Sequence, residues 1–79
     1  MNLNLLRGNI YTKYKNQKKF ADAMGWHPNK VTKLVTGQFV PDVDQAAHIS
    51  EVLGLSNDVH LEIFLPKQSP NGDEAGQQN

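Results

Sequence analysis

The segment from Gly25 to Gly37, GWHPNKVTKLVTG, leaves little room for anything but a short helix between two turns. Pro28 suits the first turn of a helix, where a missing N–H costs no hydrogen bond, and it holds the preceding residue in an extended conformation. A glycine at each end can take the left-handed conformation that ends a helix at no steric cost. The segment therefore predicts a helix over about residues 28–35. Its apolar side is formed by Val31, Leu34 and Val35.

Apolar residues elsewhere in the chain recur at intervals of three and four, the spacing of a buried helix face. They predict four further helices: three over about residues 4–14, 17–24 and 43–53, and a shorter one that follows a candidate cap at Ser56 and runs to Leu65. Asp42 and Gln45 have the spacing of a capping box that starts the fourth of the five helices. The expected fold is all-α, a compact five-helix domain over residues 1–66.

Length and composition restrict the class of protein. A chain of 79 residues builds one small core and leaves little space for a deep catalytic cleft. It contains no cysteine, which excludes disulfides and thiolate metal sites and fits a reducing compartment. No segment approaches the roughly 18 apolar residues of a membrane span. We therefore expect a soluble, cytoplasmic domain, followed over residues 67–79 by a disordered tail without large apolar side chains.

Charge is divided unevenly between the two halves of the sequence. Residues 1–37 carry seven basic side chains against the single acid Asp22, a net charge of +6, and the remaining residues carry the opposite balance, −6. A polyanion can be held by the basic half while the acidic half repels it. The plainer alternative is that the basic residues only solvate one face of the domain. The basic residues are Arg7, Lys13, Lys15, Lys18, Lys19, Lys30 and Lys33.

The second and third predicted helices, joined by a turn that contains glycine, have the ingredients of a helix-turn-helix. Seven residues lie at the offsets of one family's motif: Gln17, Phe20, Ala21, Gly25, Val31, Leu34 and Gly37. In these residues, and in the following PDVDQAAHISEVLGLS, the chain resembles the lambda-repressor and Cro-like superfamily of the xenobiotic-response-element type. The resemblance covers about residues 4–65. It implies a small DNA-binding regulator, a repressor or Cro-like switch of the kind that phages and mobile elements carry.

The resemblance also implies a DNA-binding surface, with the helix 28–35 in the major groove of the duplex. Asn29 can pair with an adenine and Lys33 with a guanine, so these two are expected to read sequence. Lys30 and His27 are expected to hold phosphate. The full set of residues that the resemblance directs toward DNA is Gln17, Lys18, His27, Asn29, Lys30, Thr32 and Lys33.

The loop after Gly37 departs from the family pattern. Family members often carry basic residues there, whereas this chain has Phe39 and Val40. Exposed apolar residues at this place indicate a protein contact. Two alternatives stay open: a homodimer that forms mainly on DNA, or a protein-interaction modulator on the same fold that binds a partner repressor in place of its own operator. For the homodimer, this loop is favoured over a contact through Leu61, Phe64 and Leu65 of the fifth helix.

The sequence gives little support for metal binding, cofactor binding or catalysis. No histidine stands at the spacing of a metal-ligand motif, and His48 and His60 are expected on solvated helix faces, so no metal or other cofactor is expected. No Ser/His/Asp set, carboxylate pair or Gly-rich phosphate loop suggests catalysis, and we do not expect an enzyme. Trp26 is expected to be a core ring.

Overall fold

The computed structural model describes residues 1–65, which form five α-helices and no strand. The helices are α1 (Leu3–Tyr14), α2 (Gln17–Met24), α3 (Pro28–Val35), α4 (Val43–Leu53) and α5 (Asn57–Phe64). The prediction of an all-α domain with five helices is confirmed. The bounds of α2, α3 and α4 are those expected, α1 begins one residue earlier, and α5 ends one residue earlier. The predicted tail over residues 67–79 lies outside the described residues.

A side chain caps the start of each of these five helices by accepting a hydrogen bond from a backbone N–H in the first turn, an interaction worth about 1 kcal/mol. The capping residues are Asn2, Asn16, His27, Asp42 and Ser56. The predicted capping box is present in α4. Asp42 Oδ1 accepts from the Gln45 amide at 2.8 Å, and Gln45 Oε1 accepts from the Asp42 amide at 2.9 Å.

Turns with a positive φ separate the helices. Gly25 ends α2 with φ 75°, as predicted. Gly37, with φ 81°, allows a close approach as well, because a Cβ there would lie 3.1 Å from Leu3 Cδ1. Lys15, just after α1, takes φ 73° although it is not a glycine. Residues other than Gly, Asn and Asp rarely adopt a positive φ, so the turn between α1 and α2 is strained at Lys15.

One hydrophobic core joins all five helices. The small residue Ala21 is fully buried on α2, the helix with the most extensive packing against α3. Burying one large apolar side chain stabilises the fold by about 1.5–3 kcal/mol. Trp26 packs at the edge of this core and is half-buried. The core residues are Leu6, Ile10, Phe20, Ala21, Met24, Val31, Leu34, Val35, Ile49, Leu53 and Ile63.

Polar side chains tie the helices together around this core. Tyr14 Oη donates to the Val52 carbonyl at 3.0 Å, which joins α1 to the end of α4. His48 and His60, which were expected on solvated helix faces, are partly exposed, and each also contacts another helix. Both rings are half-buried: the His48 Nε2 atom lies 3.0 Å from the Met24 carbonyl oxygen, and His60 forms a hydrogen bond with Ser50. Within residues 1–65, no helix combines the length and apolarity needed to cross a membrane.

Candidate nucleic-acid interface

The helix α3 has one side in the core and a polar side that faces outward. Val31 and Leu34 are fully buried, whereas Asn29, Thr32 and Lys33 are exposed. Within the described part of the chain, the side chains of Asn29 and Lys33 form no hydrogen bond or ion pair with another residue. These two groups, which the sequence analysis expects to read bases, are thus available to an outside partner.

His27 has a structural role that the sequence analysis missed. Its Nδ1 atom accepts a hydrogen bond from the Asn29 amide at 3.1 Å and so caps the start of α3. Because Nδ1 is the acceptor, the proton of the neutral ring is on Nε2. The exposed ring therefore holds an N–H donor at the first turn of α3, beside Asn29. Histidine is an uncommon cap, so no usual capping signal marks it in the sequence.

A chain of hydrogen bonds on the surface connects the first three helices. Gln17 Nε2 donates to Tyr11 Oη at 2.9 Å, and Thr32 Oγ1 donates to Gln17 Oε1 at 3.3 Å. The single proton of the Thr32 hydroxyl is shared with the Pro28 carbonyl oxygen, 3.2 Å away, so Tyr11 is the stronger partner of the Gln17 amide. Gln17 and Thr32, two of the residues expected to face DNA, are thus brought together. The exposed Tyr11 joins them, a link that the sequence did not reveal because it crosses between helices.

Lys30 lies in a different setting from the other lysines of the basic half. It is half-buried, with Nζ 4.2 Å from the centre of the Trp26 ring and 5.4 Å from that of Phe39. The two rings meet edge to face at 5.9 Å. Such an arrangement combines cation–π and aromatic attraction. Its ammonium therefore faces two rings of its own chain, although the sequence analysis expects it to hold phosphate.

The electrostatic surroundings of α2 and α3 favour an anion. Neither helix has an acidic residue in its first turn, so no carboxylate offsets the partial positive charge of the helix start. The α2 start carries Lys18 and Lys19, both exposed. Arg7 is held at the end of α3, where its Nη1 donates to the Val35 carbonyl at 2.7 Å. Four exposed lysines follow one another from α1 to α2: Lys13, Lys15, Lys18 and Lys19.

The apolar loop after α3 differs from its expected form. Phe39 is half-buried against Trp26 and is not an exposed knob. Val40 is 74% exposed, and Val43, which begins α4, is 84% exposed. The exposed apolar pair in this region is therefore Val40 with Val43. The sequence could not show that Phe39 is buried and Val40 exposed, because the burial of Phe39 depends on Trp26, which precedes α3 in the sequence whereas Phe39 follows it.

Comparison of the chain with protein-family models, with curated proteins and with solved structures gives no match. The resemblance to the lambda-repressor and Cro-like superfamily therefore depends on the residues quoted above and stays a prediction. Among residues 1–65, no group of three or more His, Asp and Glu side chains lies close enough together to hold a metal ion.

Proposed function

We propose that this chain is a cytoplasmic, sequence-specific DNA-binding regulator of transcription in which α2 and α3 form a helix-turn-helix. The observation that supports the proposal is that polar side chains cover the outward side of α3. There Asn29, Thr32 and Lys33 are exposed, while the opposite side of the helix packs in the core. An exposed polar helix with free amide and ammonium groups suits the major groove, whose base edges present donors and acceptors at fixed positions.

Each part of the surface has a role in this proposal. Asn29 reads an adenine through its amide group, and Lys33 donates to O6 and N7 of a guanine. The start of α2, with Lys18, approaches a phosphate, because unpaired N–H groups and a partial positive charge are found there. Gln17 contacts the DNA backbone next to it, and the hydrogen bond from its Nε2 to Tyr11 Oη orients the amide.

A salt titration tests whether the chain binds DNA at all. Selection from a random duplex library supplies a preferred site, and affinity for this site and for a random duplex is then measured at several salt concentrations. The logarithm of affinity should fall with that of salt with a slope of about −0.9 for each phosphate neutralised. Absence of binding at low salt, or a flat response, would remove the proposal.

Two substitutions test the role of α3. Lys33→Ala and Asn29→Ala should each cost about 1–3 kcal/mol at the preferred site and relax the preference at one base pair. Asn57→Ala is the matched control, because Asn57 is an exposed asparagine in the first turn of α5. If the control loses as much affinity as Asn29→Ala, α3 is not the reading helix.

The exposed pair Val40 and Val43 favours a second candidate function, a modulator that binds a partner repressor in place of an operator. In the DNA-binding proposal, the same pair belongs to a homodimer on two half-sites roughly 34 Å apart. Binding measurements on the wild type and on Val40→Asp together distinguish the homodimer from the modulator. Loss of cooperative filling of a two-half-site duplex, with single-site binding retained, supports the homodimer; a wild-type chain that binds a repressor and no duplex supports the modulator.

A further inference from the structure

We propose that Lys30 is a positioning residue for α3 and does not contact phosphate. Its ammonium group holds together the two chain segments that flank the helix, and this sets the direction in which α3 presents its outward side chains. The inference rests on the proposed DNA-binding function and gives one of its residues a role that differs from the one that the sequence suggests.

The geometry of the three side chains supports this role. Trp26 lies in the turn before α3, Lys30 lies in the first turn of α3, and Phe39 lies in the loop after it. The ammonium is within reach of both ring faces, at 4.2 Å and 5.4 Å from their centres. The rings also contact each other edge to face. The start of α3 is thereby connected to the segment that follows its end.

The backbone strengthens the same connection. The Phe39 amide donates to the Lys33 carbonyl at 3.2 Å, and the Trp26 amide donates to the Ala21 carbonyl at 2.9 Å. The first bond fixes Phe39 to the last turn of α3, and the second fixes Trp26 to α2. Lys30 joins these two anchored rings, so its loss would weaken the connection that sets the orientation of α3 on α2, while the core contacts of α3 keep the helix in place.

A phosphate contact would require a different placement of the ammonium. Lys18 and Lys33 are exposed and can reach an anion without losing an existing partner, whereas Lys30 is half-buried and already faces two rings. Moving it to a phosphate would forfeit two cation–π contacts, which are stronger where water is partly excluded.

Salt dependence distinguishes the two roles. Lys30→Met keeps the aliphatic stem against the rings and removes the charge. If Lys30 is a positioning residue, the salt slope of the variant equals that of the wild type, while affinity for the selected duplex falls relative to a random duplex. The fall is at most about fivefold, because the conformational bias that is lost cannot exceed the energy of the cation–π contact, about 1 kcal/mol. Lys30→Arg, which keeps a cation that stacks on aromatic rings, should restore the preference.

The opposite result would overturn the inference. A phosphate contact predicts that Lys30→Met makes the slope less negative by about 0.9 and weakens selected and random duplexes alike. An unchanged preference in a folded variant would overturn it as well. Failure of the wild type to bind either duplex is a separate outcome, which removes the proposed function itself and with it any role of Lys30 in reading DNA.

A DNA-free measurement keeps the test decisive if the variant does not fold. Ring currents shield protons above an aromatic face, so in the NMR spectrum of the wild-type protein the εCH₂ protons of Lys30 should lie upfield of those of Lys18 and Lys33. Phe39→Leu should reduce this shift. Equal shifts for all three lysines would show that the ammonium does not stay on the rings and would overturn the inference.

Discussion

The first three helices and the last two helices of the described chain start in opposite electrostatic ways. In α4 and α5 the first turn contains an acid, Asp44 or Asp58, which offsets the partial positive charge of the helix start. The first turns of α1, α2 and α3 contain no acid, and α2 has Lys18 in that position. Stability alone favours acids at all these places. The absence of an acid leaves the starts of α2 and α3 with an uncompensated partial positive charge beside Lys18 and Lys30.

The same two regions do not differ in how they are held together. Core residues come from both, and polar links such as Tyr14 to the Val52 carbonyl cross between them. The division is therefore one of surface charge and not of structure. We expect a single folding unit with two electrostatically distinct faces.

The substitution with the largest expected effect tests whether the five helices unfold as a single unit. Phe20 is fully buried and lies 5.8 Å from the Tyr14 ring, centre to centre. Phe20→Ala should lower the free energy of unfolding by about 3–5 kcal/mol because it removes a large side chain and leaves a cavity. Amide hydrogen exchange followed by NMR should show α2 and α5 losing protection together. Loss in α2 with full retention in α5 would divide the molecule into two folding units.

A charge exchange at matched positions gives an effect of intermediate size. Lys18 and Asp44 are each the second residue of their helix, α2 and α4, and both are exposed. Lys18→Glu should raise the free energy of unfolding by about 0.3–1 kcal/mol because it places an acid at a helix start. It should also weaken binding to every duplex and make the salt slope less negative by at least about 0.9.

Asp44→Lys is the control for this exchange. It should lower stability by a similar amount and leave duplex binding undiminished, as measured by thermal unfolding and the same salt titration. If Lys18→Glu gains stability without losing affinity, the positive start of α2 has no part in binding, and the contrast between the two regions has another origin.

The smallest expected effect concerns stability without a change of charge. Gly8 is exposed within α1, and a Cβ there would meet no atom within 4 Å. Gly8→Ala should therefore stabilise the protein by about 0.5–1 kcal/mol, since alanine loses less backbone entropy on entering a helix. A rise in the thermal midpoint with unchanged duplex affinity is expected. A drop in affinity would place Gly8 at the binding surface.

Most of the secondary structure could be predicted because its signals are local. Gly25 and Pro28 mark the turn before α3, and Asp42 with Gln45 marks the start of α4. These residues act on backbone a few positions away, so their spacing in the sequence carries the information. The starts of α2 and α3 lie where the sequence predicts them, but their capping residues, Asn16 and His27, were not predicted, because apolar periodicity does not indicate caps and histidine is an unusual one.

The parts of the candidate site that could not be predicted depend on contacts between helices. The exposure of Asn29 and Lys33 follows from helix periodicity, and the structure agrees with it. The placement of Lys30 does not, because it requires Trp26 and Phe39 to meet after the chain has passed through α3. A periodic pattern indicates which side of a helix faces outward. It does not indicate which aromatic ring a lysine on that side will contact.

Trp26, beside Lys30, can also serve as an intrinsic fluorescence probe. Trp26 is the single tryptophan in the chain, and it lies next to the start of α3. Indole emission responds to nearby charge and to water, so its intensity and colour report on this corner alone, without a dye or a label. A ligand that settles over α3 should alter the emission, whereas one that covers α5 should leave it unchanged. Fluorescence spectra could therefore locate a partner on the surface before its identity is known.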